Sequence, residues 1–257
     1  MASRARRLPP LIALLLLAGC SVRVPSEIPG PSAAGPVFLV HGIQPDGVDW
    51  WVDDMEMALR RRGVEAVPVS YWCFLFGYLF GYGTDGPADR IAAFVSGMEA
   101  RHARTDCPAE LRFNGVGFSA GTMVLVKAAE RGARFRRVYF GGSPIKLWDG
   151  DLRAVLRDGR FGELVNYYSP LDLVVIFTMG SGMYGYQGAD RRDKRRVHNR
   201  LHWRHHFAPT WWDDDRTERI ADEIVRHCGR GQEHTCFQDR WFREWYLAEK
   251  RRMLEND

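Results

Sequence analysis

One short segment carries residue types suited to nucleophilic catalysis: Gly117-Phe118-Ser119-Ala120-Gly121, the pattern G-x-S-x-G. A serine hydroxyl attacks a carbonyl carbon when a sharp turn presents it and a base takes its proton. Glycines two residues before and after the serine leave room for such a turn, because a side chain at either position would collide with backbone. The segment therefore indicates acyl-transfer chemistry at Ser119. The alternative is a strand-to-helix turn with an incidental serine.

The elements that must position this serine can be read from the hydrophobic pattern, in which strand and helix signals alternate. This order predicts an α/β fold with a mostly parallel central sheet and helices on both faces. The predicted strands are Val37–Val40, Val64–Tyr71, Leu111–Val116, Arg136–Phe140 and Leu164–Tyr168. The predicted helices are Trp50–Arg62 with Gly63 as its stop, Asp89–Arg104, Ala120–Arg131, Asp151–Leu156, Thr210–Cys228 and Gln238–Met253.

The strand, the pentapeptide and the apolar helix that follows it together resemble the nucleophile elbow of α/β-hydrolases. The resemblance extends from about Val37 to about Cys228 and implies an α/β-hydrolase fold with serine esterase or lipase-like activity. It implies neither a cofactor nor a metal. It also implies an oxyanion hole made by the backbone N–H of Ala120 and one from Ile43 or Gln44, with the preceding His41 in a structural role.

The acid and the base follow the nucleophile in the order serine, acid, histidine that the resemblance implies. Asp172 lies in a Ser-Pro-x-Asp turn just after a predicted strand, and we expect it to be the acid. Asp149 is the alternative acid, although an aspartate there also suits the start of a helix. The family places its base just before the last helix, which favours His206, with His205 as the alternative base and His202 after it.

The first residues have the pattern of an export signal, with a basic stretch followed by an apolar run too short to span a bilayer. Leu17-Ala18-Gly19-Cys20 resembles the lipobox of bacterial lipoproteins, which implies lipidation of Cys20 and anchoring of the protein in a membrane. An ordinary secretory signal or a short uncleaved anchor is the alternative. We expect a signal peptide at 1–19, the lipidated cysteine and a Pro-rich tether at 20–36, and the hydrolase domain at 37–257. By the sorting rule that the lipoprotein resemblance implies, Ser21 after the cysteine favours the bacterial outer membrane, facing the periplasm.

Charge and cysteine content bear on partners and on compartment. Removing Arg4, Arg6 and Arg7 with the signal lowers the Lys and Arg count from 36 to 33 against 32 Asp and Glu, so net charge lends no support to nucleic-acid binding. Four further cysteines in an exported chain permit two disulfides. The short segment between Cys228 and Cys236 favours a bridge between these two, and the pairing of Cys73 with Cys107 is left open by the sequence. Zinc binding by Cys228, His234 and Cys236 is the less favoured alternative.

Two further segments have unusual composition. The aromatic stretch Tyr71–Tyr82 suits a lid or an acyl-binding wall, or else simple core packing. The basic stretch Arg191–Arg204 suits contact with anionic lipid or an acidic substrate, and more often such a stretch is a solvated loop.

The leading hypothesis is a serine hydrolase that cleaves carboxylic esters, including lipid or other acyl esters, through an acyl-enzyme. An acyltransferase or an amidase would use the same residues. A non-catalytic envelope lipoprotein of the same fold is the remaining alternative. The sequence favours no particular oligomeric state.

Overall fold

The computed structural model describes most of the core of the chain. The described residues are 36–42, 50–69, 71, 83–104, 113–146, 148–175, 180–189, 193–203, 214–228, 244, 247–248 and 250–252. The predicted lipidation site Cys20, the signal peptide and the tether lie outside them. So do Ile43, His205, His206 and three of the four cysteines assigned to disulfides, and these predictions remain predictions.

Six strands form one sheet in the order β2-β1-β3-β4-β5-β6, and every neighbouring pair is parallel. The predicted α/β class with a mostly parallel sheet is therefore confirmed. The strands are β1 Val37–Val40, β2 Ala66–Val69, β3 Asn114–Phe118, β4 Phe135–Gly141, β5 Phe161–Tyr168 and β6 Val197–Leu201.

Helices cover both faces of the sheet, as expected for parallel strands that read as continuous apolar runs. In β1, Phe38 and Val40 join the core on one face, while Val37 and Leu39 join the core on the other. The helices are α1 Trp50–Arg61, α2 Asp85–His102, α3 Ala120–Glu130, α4 Gly150–Arg157, α5 Ser181–Tyr184 and α6 Asp214–Cys228. Helices α2, α3 and α4 pack on the first face, and α1 and α6 pack on the second.

Helix α1 ends where the sequence predicts. Its acidic Asp53 lies in the first turn and Arg60 and Arg61 lie in the last, which complements the helix dipole. Gly63 has φ +70°, and the N–H of Val64 donates to the carbonyl of Leu59 at 3.0 Å. This left-handed conformation is strained for residues other than glycine, so Gly63 ends the helix.

Strand β6 corrects the interpretation of Arg191–Arg204 as a solvated loop. A short 3-10 turn at Asp193–Arg195 leads into Val197–Leu201, which pairs with β5 in parallel register. Three of the five side chains in β6 are exposed, so the strand lacks the apolar run that identifies the others. A search of the sequence for continuous apolar runs therefore does not detect a parallel edge strand of this kind.

The opposite edge of the sheet is strand β2. Pro68 lies in the middle of this strand, opposite Leu39, and has no N–H to offer a further strand. Beyond it, the Lys250 ammonium donates to the backbone carbonyl of Ala66 at 3.0 Å and to the Glu65 carboxylate. Both Glu65 and Lys250 are buried, so the C-terminal segment is held against β2 by a buried ion pair.

None of the helices in the described part of the chain combines the length and the apolarity needed to cross a bilayer.

Candidate active site

Ser119 lies on the turn between β3 and α3 with φ 51° and ψ −123°. Among the described residues it is the one non-glycine residue with a positive φ, a conformation in which a Cβ is strained. Its N–H donates to the carbonyl of Gly141 at 2.8 Å. Its carbonyl accepts from the N–H of Thr122 at 3.1 Å and from the Thr122 hydroxyl at 2.7 Å. Backbone contacts on both sides of Ser119 therefore hold this strained turn.

The two flanking glycines are required by space, as the pentapeptide predicts. A Cβ added at Gly121 would lie 2.1 Å from the carbonyl oxygen of Val40 and 2.4 Å from that of His41. A Cβ at Gly117 would lie 3.0 Å from the carbonyl oxygen of Gly121. Helix α3 thus approaches β1 closely enough that only a hydrogen atom fits between them.

Gly42 is a further contact of the serine that the pentapeptide does not reveal. A Cβ at Gly42 would lie 2.7 Å from the Cβ of Ser119 and 3.4 Å from its Oγ. The chain that leaves β1 therefore passes directly beside the nucleophile. The sequence hinted at this contact only through the resemblance of His41-Gly42 to the loop that lines an oxyanion hole.

His41 itself is structural. Its Nδ1 lies 2.6 Å from the carbonyl oxygen of Gly42, and the N–H of Tyr71 lies 3.4 Å from its Nε2. The Tyr71 ring stacks on the imidazole with centroids 4.5 Å apart, and its hydroxyl donates to the carbonyl of His41 at 2.7 Å. This pairing suits a neutral imidazole with its proton on Nδ1. Tyr71, the first residue of the predicted aromatic stretch, is a core residue, and Trp72–Tyr82 lie outside the described residues.

Ala120 is the first residue of α3 and is buried. The first N–H groups of a helix have no carbonyl acceptor one turn earlier within the helix, and they point along the axis from its start. The position of Ala120 directly after Ser119 therefore suits the oxyanion-hole role that the resemblance implies. The second predicted donor, Ile43, lies outside the described residues.

Asp172 is fully buried in the turn that follows β5. Its N–H donates to the carbonyl of Ser169 at 3.0 Å, and its Oδ1 lies 3.4 Å from the N–H of Val175. The N–H of Ser169 in turn donates to the carbonyl of Gly182 in α5 at 2.7 Å, which fixes the start of the turn. Burying a carboxylate costs free energy unless hydrogen-bond donors or an opposite charge compensate it.

The strand order brings the predicted nucleophile and acid to the same end of the sheet, where the carboxyl ends of the strands lie. Ser119 follows β3 and Asp172 follows β5, and the two strands are separated by β4 alone. Parallel strands end at the same edge, so the two residues leave the sheet about 10 Å apart. The crevice outside the carboxyl ends of the strands is where open α/β sheets bind ligands. The chain has an α/β fold of this open, parallel type.

The alternative acid, Asp149, caps a helix. Its Oδ1 accepts from the N–H of Asp151 at 3.1 Å and from that of Leu152 at 2.9 Å, at the start of α4. Both predicted acids therefore follow strands of the sheet. The Asp149 carboxylate caps α4, whereas the Asp172 carboxylate is buried and lies near the backbone N–H of Val175.

His202 is the described member of the predicted histidine group. It follows β6 directly, is buried, and donates its N–H to the carbonyl of Tyr168 at 2.7 Å. Its Nε2 faces the guanidinium of Arg216, on α6, within hydrogen-bonding distance. His202 is therefore buried near the carboxyl ends of β5 and β6 with a guanidinium beside its ring, and it stays a candidate for the base.

A buried polar network fastens α6 to the sheet beneath this edge. The Glu223 carboxylate accepts hydrogen bonds from two guanidinium nitrogens of Arg200, each at 2.8 Å, and from one of Arg137 at 2.9 Å. Arg200 donates to the Tyr167 hydroxyl at 2.9 Å. Burial raises the pKa of Glu223, but the bonds to Arg200 and Arg137 outweigh burial and leave that pKa below its ordinary value. Burial raises the pKa of Tyr167.

This network was missed by sequence reasoning, which assigned Arg200 to a basic surface stretch. Its partner Glu223 is 23 residues away on another element. The described residues hold no group of three or more His, Cys, Asp or Glu side chains that could bind a metal ion together.

No family model and no curated protein matches the chain. Solved structures of similar overall shape include a cold-adapted esterase from an Arctic intertidal metagenomic library, at 17% identity and TM-score 0.49, covering 77% of this chain and 83% of that one. The esterase domain of a Rhodothermus marinus protein has 13% identity and TM-score 0.45, covering 76% and 86%. A putative hydrolase of the alpha/beta superfamily from Xanthomonas campestris pv. campestris has 13% identity and TM-score 0.45, covering 75% and 99%.

Proposed function

We propose that this protein is a serine hydrolase that cleaves carboxylic esters, with Ser119 as its nucleophile. The observation that carries the proposal is the strained conformation of Ser119 at a strand-to-helix turn, held by hydrogen bonds and by glycines that admit no Cβ. Strain of this kind persists where the surrounding structure maintains it and is concentrated at active sites. The esterase and hydrolase names of proteins with similar folds agree with this reaction class.

The proposed reaction begins when Ser119 Oγ bonds to the ester carbonyl carbon while His206 takes the hydroxyl proton. The carbonyl oxygen becomes an oxyanion and accepts the N–H groups of Ala120 and Ile43. The carbon–oxygen bond then breaks, and the alcohol leaves with the proton from His206. Water repeats the sequence on the acyl-enzyme and releases the acid. Asp172 orients the imidazole and stabilises its protonated form.

Asp172 is favoured over Asp149 because the Asp149 carboxylate already serves as a helix cap. His206, with His205 as the alternative and His202 after it, is the proposed base because the resemblance places the base just before the last helix. The leading acyl substrates carry an apolar chain, a preference supported by the aromatic composition of Tyr71–Tyr82. We also propose that Cys20 is acylated and anchors the protein in the bacterial envelope, on the strength of the lipobox pattern.

The experiment that tests the nucleophile is labelling with a fluorophosphonate probe. We expect wild type to label and Ser119→Ala not to label. Ser96→Ala is the matched control, because Ser96 is exposed on α2 and should label like wild type. Labelling that persists in Ser119→Ala would refute the assignment.

The acid and base assignments are tested by hydrolysis of a dissolved p-nitrophenyl ester. We expect Asp172→Asn and His206→Ala to lower kcat by about 10³-fold or more, as loss of a triad member does elsewhere. Asp149→Asn keeps a residue that caps helices well and should leave kcat within about threefold of wild type. A larger loss in Asp149→Asn than in Asp172→Asn would exchange the two assignments. Palmitate incorporation that is lost in Cys20→Ser tests the anchor separately.

A further inference from the structure

Large apolar side chains are exposed near the carboxyl ends of neighbouring strands of the sheet. We define the apolar rim as Trp148 after β4, Leu171, Leu173 and Val174 after β5, and Trp203 after β6. Trp148 is 66% exposed, Leu173 61% and Trp203 63%. All five belong to segments that follow the carboxyl ends of neighbouring strands, the same edge to which Ser119 and Asp172 belong.

The turn after β5 has an inverted polarity. Its one charged residue, Asp172, is fully buried, while Leu171, Leu173 and Val174 around it are exposed. In an ordinary surface turn the carboxylate would be solvated and the leucines would be packed. Contiguous exposed apolar surface is uncommon on soluble monomers and marks an interaction site. The turn therefore presents an uncharged apolar surface beside the predicted catalytic groups.

We propose that the apolar rim is the surface with which the domain contacts a lipid layer, so that the site takes its ester substrate from that layer. This inference rests on the proposed ester hydrolysis and on the proposed anchor at Cys20. Two of the five rim residues are tryptophan, an amphipathic side chain that accumulates at membrane–water boundaries. Leucine and valine, at the three other positions, are suited to the acyl region beneath that boundary.

The length of the tether selects a lipid layer as the occupant. The chain enters the domain at Val37, at the amino end of β1. The tether is therefore attached where the amino ends of the strands lie, opposite to the rim. Extended fully, the chain from Cys20 to Pro36 reaches about 55 Å. A domain spanning residues 37–257 is about 45 Å across. The tether is thus long enough for the rim to turn to the membrane that holds Cys20.

A tethered surface also needs little intrinsic affinity. Because the anchor keeps the domain within one tether length of the membrane, the contact of the rim is intramolecular in effect and occurs at high effective concentration. A few exposed side chains are then sufficient to orient the domain. The substrate class that follows is an acyl ester that resides in a lipid layer.

The first experiment measures how deeply the rim tryptophans enter a lipid layer. Full-length acylated protein is reconstituted in phosphatidylcholine vesicles whose acyl chains carry bromine, which quenches nearby tryptophan fluorescence. We expect quenching in wild type, and less of it in Trp148→Phe and Trp203→Phe. Quenching that is unchanged in both variants, or absent in wild type, would overturn the inference. The measurement does not depend on catalysis, and Ser119→Ala should be quenched like wild type.

The second experiment places a charge on the rim. Leu173→Asp should lower hydrolysis of a long-chain ester embedded in vesicles by about tenfold, with a dissolved short-chain ester hydrolysed within about twofold of wild type. Met57→Asp is the matched control, since Met57 is 51% exposed on α1, outside the rim, and it should change neither rate. Equal effects of the two variants on the embedded ester would contradict the inference.

Two other outcomes separate the alternatives. If sedimentation shows a dimer that Trp148→Phe or Leu173→Asp dissociates, while quenching is absent, the rim is an interface between two copies and the inference fails. If wild type hydrolyses no ester and takes no probe, the proposed function fails, and the quenching result alone decides the lipid contact.

Discussion

The strain at Ser119 leads to a prediction in which stability and activity move in opposite directions. A non-glycine residue in a sparsely populated region of φ and ψ costs about 1–3 kcal/mol. At φ 51° and ψ −123°, glycine removes that cost because it has no Cβ. Its greater freedom in the unfolded chain returns about 0.4–1 kcal/mol. We therefore expect Ser119→Gly to be about 0.5–2 kcal/mol more stable than Ser119→Ala, with both variants inactive.

Ser119→Ala is the proper reference because it removes the hydroxyl and keeps the Cβ. Thermal unfolding should place Ser119→Gly about 1–8 °C above Ser119→Ala, at the few degrees per kcal/mol expected for a domain of this size. Urea unfolding should give the same order with an unchanged slope.

The same pair of substitutions at Ser96, an exposed position within α2, should show the reverse order. Glycine in a helix is about 1 kcal/mol less favourable than alanine. If Ser119→Gly is no more stable than Ser119→Ala, the turn is not strained, and the reasoning that identifies the nucleophile from its backbone is wrong.

Three other predictions concern the same scaffold. Gly121→Ala should abolish accumulation of folded protein because its Cβ meets a backbone carbonyl at 2.1 Å, whereas Gly150→Ala, with open space around its Cβ, should be at least as stable as wild type by thermal unfolding. Lys250→Met should cost about 3–5 kcal/mol in urea unfolding by leaving a buried charge on Glu65, and adding Glu65→Gln should recover much of that loss. Glu223, whose pKa is lowered by its two arginines, contributes stability that is present above about pH 4.3 and is lost as pH falls through its folded pKa. Glu223→Gln should therefore be less stable than wild type at pH 7, and the difference should shrink towards pH 3 in urea titrations.

The parts of this protein that could be predicted from sequence are those decided by local sterics and burial. The elbow at Ser119 follows from glycine spacing, and a buried run such as Val37–Val40 needs no distant information. Strand β3 is less evident in the sequence, because Gly115 and Gly117 interrupt its apolar pattern. Their lack of side chains is explained only by α3, where Leu125 would lie 3.0 Å from a Cβ at Gly115.

The parts that could not be predicted depend on pairings across the chain. Strand β6 was hidden because Arg200 looks like a solvated charge until Glu223 is brought beside it. Asp149 and Asp172 both follow strands, so the sequence leaves both as candidate acids. The helix cap at Asp149 is a local feature that the sequence suggests, whereas the burial of Asp172 depends on the tertiary structure.

Pro68 has a consequence for contacts between copies of this protein. An open sheet edge invites strand addition between neighbouring molecules. Strand β2 has a missing donor at Pro68 and the Lys250 ammonium beside Ala66, and β6 exposes polar side chains. Features of this kind at both edges discourage pairing between sheets. We therefore expect copies of the domain to meet at high concentration without pairing through the edges of their sheets.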